Sequence, residues 1–532
     1  MTTSVARRSV MPALGWALAA VLVATTFAWY TSHVWEDYYI TYRASKNLVL
    51  GHGLVFQPGE RVHTFTSPLG VLLPALTLWI SGGTSDAAAL MGFRLLSVAA
   101  LGVAAGLLWR LCREQWRLSP LVSALVGLWF LTDAKTVDFS INGMETAFLL
   151  LALVLFLRSL QAAAPTAWLK LGVAAAALQW TRPDGVVLGG ACVAGFWLFA
   201  PATLPHGTRA GALVVFWRAL AVAAAIYLPW VAWATWFYGS PIPNTVIAKA
   251  LPLAFAPLQS WWELLLLPWI SELSTAFFPT YSHMGGWPRG LLLLGYGVVG
   301  LLAHWWVLPW ANPRGRAVSF AAFLFGLYLC CIKVYPWYLP PAALLLFITG
   351  GFALSDLRRW WPEPRWMAIA AVWAFGLGAT ALQVAALVLT AQQMKAQEAL
   401  IESQRTTIGQ FLRQQAHPGD RVFLECVGYI GFFSELKILD YPGLTAPEVV
   451  RARKTLGEDW GGLVRVLKPE WLVLRPREFG FVKSAHYPAF TADYVLVRTY
   501  SRRREVATLS DVQGRGYLEC DQTFSVFRRR VH

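Results

Sequence analysis

The chain of 532 residues is 57% hydrophobic and only 14% charged, which is too apolar for an ordinary soluble domain. Its net charge of +15 would suit a nucleic-acid ligand. The basic residues, however, are shared among alternate connections rather than gathered in one patch, and that excludes nucleic acid. No Cys/His spacing suggests a zinc site.

Apolar stretches recur from Met11 to about Leu389 and then stop. They predict about eleven membrane helices, at about 12–30, 92–109, 118–132, 145–161, 166–180, 186–202, 214–237, 288–308, 317–332, 337–354 and 366–390. Arg7 and Arg8 precede the first span. Arg110, Arg113 and Arg117, Arg158, Arg209 and Arg218, Arg314 and Arg316, and Arg358, Arg359 and Arg365 then mark every second connection. The positive-inside rule therefore predicts a cytoplasmic N-terminus and an external C-terminus. Two further apolar stretches, 68–81 and 256–271, break that parity if they cross. Pro68 and the Trp261-Trp262 pair fit interfacial or re-entrant helices instead. The first span has a basic start but no small-x-small cleavage site before Trp35, so it is expected to stay attached.

From Gln393 onward charges appear every few residues and hydrophobic runs shrink to strand length. Two domains are expected: a membrane module, 1–392, with a first outer loop at 31–91, and an external α/β domain, 393–532. In the second, 394–415 has helical spacing, and RVFLEC (421–426), WLVLRP (471–476), DYVLVRTY and TFSVFRR read as strands. Cys426 and Cys520 are the only cysteines there, and adjacent strands would bring them within disulfide reach.

The topology collects the informative polar residues at the outer ends of the spans. Glu36 and Asp37 follow span 1, and paired acids beside a membrane are costly to desolvate. Asp37 is either the cap of an amphipathic helix over 38–50 or a general base. Outer basic residues run against the charge bias. Arg182 either pairs with Asp184 or, like Arg43 and Lys249, binds a lipid phosphate. His63, Glu145, Asp184, Asn244, Tyr335 and Trp337 complete the substrate-site candidates. In the outer domain, Tyr429 and the loop 440–445 either line an acceptor path or dock the domain on the membrane module. A lipid-sugar flippase would favour charges buried mid-span and inverted repeats, and neither is evident. A non-catalytic assembly protein leaves the outer motifs unexplained.

The segment EDYYITYRASKNLVLGHGLVFQPGERVHTFTSPL (36–69) resembles the first outer loop of bacterial polyprenyl-phosphate-dependent glycosyltransferases of the GT-C fold. The mycobacterial terminal β-(1→2) arabinofuranosyltransferases are their best-known members. NGMET (142–146), TRPDG (181–185), YGSPIPNTVIAK (238–249) and GYIGFFSELKILDYPGLTAPEV (428–449) match in the same order. The resemblance implies an integral-membrane enzyme of the bacterial plasma membrane. It would move a sugar from a polyprenyl phosphate to an envelope glycan, lipid or protein outside the cytoplasm. It puts the catalytic carboxylate on Asp37, with Glu36 beside it. The family pattern has two adjacent Asp where this chain has Glu36-Asp37, and Glu-Gly where it has His63-Thr64, so either acid remains eligible and the sugar stays open. No nucleotide or flavin is implied, because a lipid phosphate already leaves readily. A divalent metal shared by Glu36 and Asp37 is compatible with the sequence but not demanded by it.

Overall fold

The computed structural model describes residues 2–162, 165–250, 300–307, 311–332, 335–360, 364–483 and 487–530. Helices α1 (Thr2–Thr31), α2 (Glu36–Val49), α3 (Pro68–Ile80) and α4 (Asp86–Arg110) open the chain. After them come α5 (Pro120–Thr132), α6 (Ala134–Ile141), α7 (Thr146–Leu160), α8 (Ala167–Thr181), α9 (Gly185–Phe199), α10 (Arg209–Tyr238) and α11 (Asn244–Ala250). The later long helices are Pro313–Cys330, Pro340–Trp360 and Arg365–Gln397. Local chemistry sets several starts. Ser67 and Ser119 each accept from the backbone N–H three residues on, with Pro at the first helical position, and Ser85 and Thr208 cap α4 and α10.

A helix stands at the position of every expected span lying within the described residues. The expected count is nevertheless not reached by length. Among the described residues five helices are long and apolar enough to cross a membrane, or six if α5 and α6 form one span bent by 52°. At the expected spans 118–132, 145–161, 166–180 and 186–202 the helices run only 13, 15, 15 and 15 residues. Fifteen residues reach about 22 Å, short of a ~30 Å hydrocarbon core. The break between α5 and α6 comes from Asp133, whose carboxylate leaves the apolar run to cap α6 through Thr136 N at 2.8 Å. The stretch 68–81 is the 13-residue α3, which is too short to cross. The stretch 256–271 lies outside the described residues, as does most of the span expected at 288–308. Where α4 crosses α1, a Cβ on Gly106 would stand 2.9 Å from the Ala13 carbonyl oxygen, so small residues let these backbones approach closely.

The last membrane helix does not stop at the expected boundary. Trp366–Gln415 is one 50-residue helical run, interrupted by a π-turn at Glu398–Glu402. It enters a five-stranded sheet domain as one of its packing helices. Strands β1 (Arg421–Leu424), β2 (Lys437–Asp440), β3 (Trp471–Leu474), β4 (Tyr494–Ser501) and β5 (Thr523–Arg529) lie in the order β2-β1-β3-β5-β4. The first three are parallel, and β5 and β4 are antiparallel additions. Side-chain alternation divides the core. Val422, Leu424, Trp471 and Val473 pack with Ile408, Leu412, Val427 and Ile430 on one face. Phe423, Leu439, Leu472 and Leu474 pack with Val449, Leu463, Val464 and Val482 on the other. Four strands fall where expected; β2 is additional. Cys426 and Cys520 are both free, which corrects the expected disulfide. Cys426 is buried beside the Arg405 guanidinium at 3.4 Å, whereas Cys520 sits on an exposed helix before β5.

Candidate active site

The segment after span 1 is fixed from two directions. Trp35 N donates to the Asn142 carbonyl at 2.9 Å, and the Trp35 ring stacks on Phe139. Gly143, at φ +99°, packs directly on Tyr38 and leaves no room for a side chain. Helix α2 begins at Glu36 with Trp35 at the N-cap, so Asp37 does not cap it.

The paired acids then part company. Glu36 accepts from Gly428 N at 2.9 Å and pairs with Arg405 at 3.0 Å. Arg405 is buried and also holds Glu402 at 2.9 Å and Asp521 at 2.5 Å. Burial pushes the Glu36 carboxyl up to about 8, against the opposing pull of Arg405 and the Gly428 N–H. Glu36 therefore latches the membrane module to the sheet domain. Glu398 adds a second latch, accepting from Val34 N and meeting His33 Nδ1, both at 3.1 Å, and lying 3.3 Å from the Tyr429 hydroxyl. Gly428 sits so close that a Cβ would run into the Glu36 carbonyl oxygen and Cγ. Gly428→Ala is expected to cost about 1–3 kcal/mol through this overpacking. Melting and limited proteolysis of the purified protein will read the loss, and an unchanged melting profile would refute the close fit.

The side chain of Asp37, half-buried, makes no hydrogen bond and no ion pair within 4 Å among the described residues. Burial raises its carboxyl above the usual range; Lys249 pulls it down and Glu425 adds to the rise. Glu145 and Tyr335 also lie within its electrostatic reach. Lys249, on α11, lies 4.7 Å above the Tyr335 ring and 5.9 Å above Trp337, and those two rings stack at 4.7 Å. Lys249 forms no ion pair within 4 Å among the described residues. A carboxylate and an ammonium, neither in an ion pair among the described residues, thus come together with an aromatic floor where the two modules join.

The other basic candidates are already committed. Arg43 donates to the carbonyls of Gly431 (2.7 Å) and Leu436 (3.0 Å) and to Gln57 (3.0 Å), tying α2 to the sheet domain. The Arg182 fork is filled by Asp184 at 2.9 and 3.1 Å, with the Tyr338 ring 4.0 Å away and Glu145 at 3.9 Å. For Arg182 the local pair is the arrangement present. Asn244 donates to the carbonyls of Gly443 and Leu444 at 2.8 and 2.9 Å, and Tyr429 donates to Val34 O at 2.9 Å. Both contacts dock the domain. His63 stacks on Tyr238 at 4.5 Å and beside Phe65, and burial pushes its imidazole down to about 4, so it is neutral at pH 7. None of its described contacts is with Asp37 or Lys249. Among the described residues, no three His, Cys, Asp or Glu side chains gather as a metal cage requires. Sequence reasoning missed Arg405, Glu398 and Glu425, because the partners that define them (Glu36, His33 and Arg475) are not their neighbours in the chain.

Helices long and apolar enough to cross a membrane, with this site at their junction with an α/β domain, fit a membrane protein, and the solved structures give its fold. The undecaprenyl-phosphate-bound ArnT of Cupriavidus metallidurans superposes with a TM-score of 0.55 at 13% identity, covering 96% of this chain and 98% of that one. The Archaeoglobus fulgidus oligosaccharyltransferase tethered to an acceptor peptide gives 0.55 at 13% identity over 92% and 73% of the two chains. The same enzyme with Zn and sulfate gives 0.51 at 12%, over 92% and 72%. The chain therefore shares the GT-C fold of these proteins. Residues 392–527 match a family described as a domain of unknown function, DUF8728. No curated protein matches the chain.

Proposed function

We propose that this protein is a glycosyltransferase. It takes a sugar from a polyprenyl phosphate and places it on an acceptor hydroxyl outside the cytoplasm. The observation that carries this reading is the Asp37 carboxylate, raised by burial and without an ion pair among the described residues, within electrostatic reach of Lys249, which rests over the stacked Tyr335 and Trp337 rings. In the proposed step the acceptor oxygen bonds to the anomeric carbon while the bond from that carbon to the phosphate oxygen breaks. The proton passes to Asp37, and the polyprenyl phosphate leaves with the electron pair. Lys249, rather than Arg43 or Arg182, meets the charge growing on the phosphate. The aromatic floor of Tyr335 and Trp337 shields that contact from water, which strengthens it.

Undecaprenyl phosphate bound to one protein of this fold, and an acceptor peptide held by another, support a lipid-linked donor and an external acceptor. The N-in, C-out topology, the plasma-membrane location, the two-domain division at 392/393 and arabinofuranose as the first sugar to try belong to the same reading. Transfer from synthetic polyprenyl-phosphate pentoses and hexoses by the purified protein tests it, and failure with every donor and acceptor sinks it. Within that assay Lys249→Ala should raise the donor KM about 10–100-fold, the loss of one charge-assisted contact of about 1.5–3 kcal/mol. Lys249 also holds the Asp37 carboxyl down, so its removal should move the acid limb of the rate profile to higher pH. A donor KM and acid limb both unchanged would remove Lys249 from the site.

A further inference from the structure

The sheet domain turns one particular edge toward Asp37. Strands β1 and β3 are adjacent and parallel, yet the helices that follow them lie on opposite faces of the sheet. Val427 and Ile430, after β1, pack on one face, and Phe479 and Val482, after β3, pack on the other. Such a switch in strand order opens a crevice at the carboxyl ends of the two strands, where open α/β sheets hold their ligands. The first residue past β1 is Glu425, and the first past β3 is Arg475. They bridge the crevice at 2.7 Å. Arg475 is held from behind by Asp521 at 2.7 Å and by Glu478, whose carboxylate also accepts from Arg475 N at 2.8 Å. Glu425 is thus fixed in place yet remains 39% exposed, and its Oε1 accepts no hydrogen bond among the described residues.

The contacts described above aim this crevice at the membrane site. Gly428, three residues after Glu425, donates to Glu36, and the loop after β2 receives Asn244 from the helix that carries Lys249. Glu425 lies within electrostatic reach of Asp37 and Tyr335. A fixed, solvent-facing carboxylate beside a general base is suited to accept hydrogen bonds from the hydroxyls of a sugar ring. We infer that Glu425, braced by Arg475 at the switch point of the sheet domain, binds the acceptor carbohydrate and presents one hydroxyl to Asp37. The sheet domain then contributes half of the active site and is not merely docked on it. This inference rests on the transferase reading, but acceptor binding can be measured without transfer.

The probes are an α-(1→5)-linked arabinofuranosyl hexasaccharide and mannohexaose, titrated into the full-length protein in detergent and followed by saturation-transfer NMR. Wild-type protein should bind at least one of them, and Glu425→Gln should bind it about tenfold or more weakly with unchanged melting. Glu425→Asp, which keeps the charge, serves as a second variant if the amide disturbs folding, and it should recover part of the affinity. Where transfer is measurable, the acceptor KM should rise while the donor KM holds. Glu425 raises the Asp37 carboxyl, so its neutralisation should move the acid limb to lower pH, the direction opposite to Lys249→Ala. Wild-type-like binding by Glu425→Gln, or no binding of either hexasaccharide to wild-type protein, overturns the inference. If Glu425→Gln loses the oligosaccharide while Asp37→Asn still transfers at full rate, the acceptor site stands and the base lies elsewhere.

Discussion

Asp37→Asn should lower kcat about 10²–10⁴-fold, the usual contribution of a positioned general base, and leave the melting temperature unchanged or slightly raised. The rate prediction follows from the amide, which keeps the shape of the side chain but cannot accept the acceptor's proton. The stability prediction follows from the surroundings. Among the described residues the Asp37 side chain makes no ion pair within 4 Å and no hydrogen bond that the substitution could break, and burial, its largest influence, disfavours its charge more than Lys249 favours it. Glu36→Gln should behave in the reverse manner. It can still accept from Gly428 N, but above about pH 8, where Glu36 ionises, it withdraws a charge from Arg405, so the loss there falls on stability first and on rate only modestly. Donor transfer and thermal melting of both variants, measured side by side, separate the two roles. Full activity of Asp37→Asn with a folded, inactive Glu36→Gln would exchange them, and full activity of both would end the carboxylate mechanism.

Arg405→Met should destabilise the protein by about 3–5 kcal/mol, the cost of stripping a buried cation from its carboxylates. Glu36, Glu402 and Asp521 converge on this one guanidinium, at 3.0, 2.9 and 2.5 Å, in a site that is almost fully buried. Without it Glu36 and Glu402, whose carboxyls burial already raises, stay protonated in the folded protein at pH values where the unfolded chain has ionised them, while Asp521 keeps Arg475. Unfolding then releases protons, so the variant should lose stability as pH rises, with a larger deficit at about pH 8 than at about pH 5. Melting in detergent across that range reads both the deficit and its slope. Activity should fall with stability, because the Glu36 latch on Gly428 sets the seam in which Asp37 lies. Wild-type melting at high pH would show that the cluster does not hold the modules together.

Hydropathy made the helices legible. Every described span candidate is a helix, because about 20 apolar residues have few alternatives to a helix in a bilayer. The polar motifs mark helix ends: α7 starts at NGMET, α8 ends at TRPDG and α9 starts there, each running 15 residues. The expected span 118–132 stops where α5 does, at Thr132, but hydropathy did not reveal the short helix α6 that Asp133 caps. Alternation exposed four strands, but β2 is only Lys-Ile-Leu-Asp, paired in parallel with β1, and a parallel pair leaves no hairpin signal in the sequence.

The sequence by itself grouped the polar motifs at one set of alternate span ends, because charge bias and span parity are properties of order along the chain. It placed Glu36 and Asp37 side by side and could not separate them. Only the tertiary structure did so, by bringing Gly428, 392 positions away, and Arg405 into contact with one acid, while the other feels Lys249 and Glu425 at longer range. The same distance hid Glu425, which reads locally as an ordinary polar residue at a strand end. A carboxylate's role depends on its desolvation and its partners in space. Neighbours in sequence fix neither, and here both are set by how the sheet domain seats on the membrane helices.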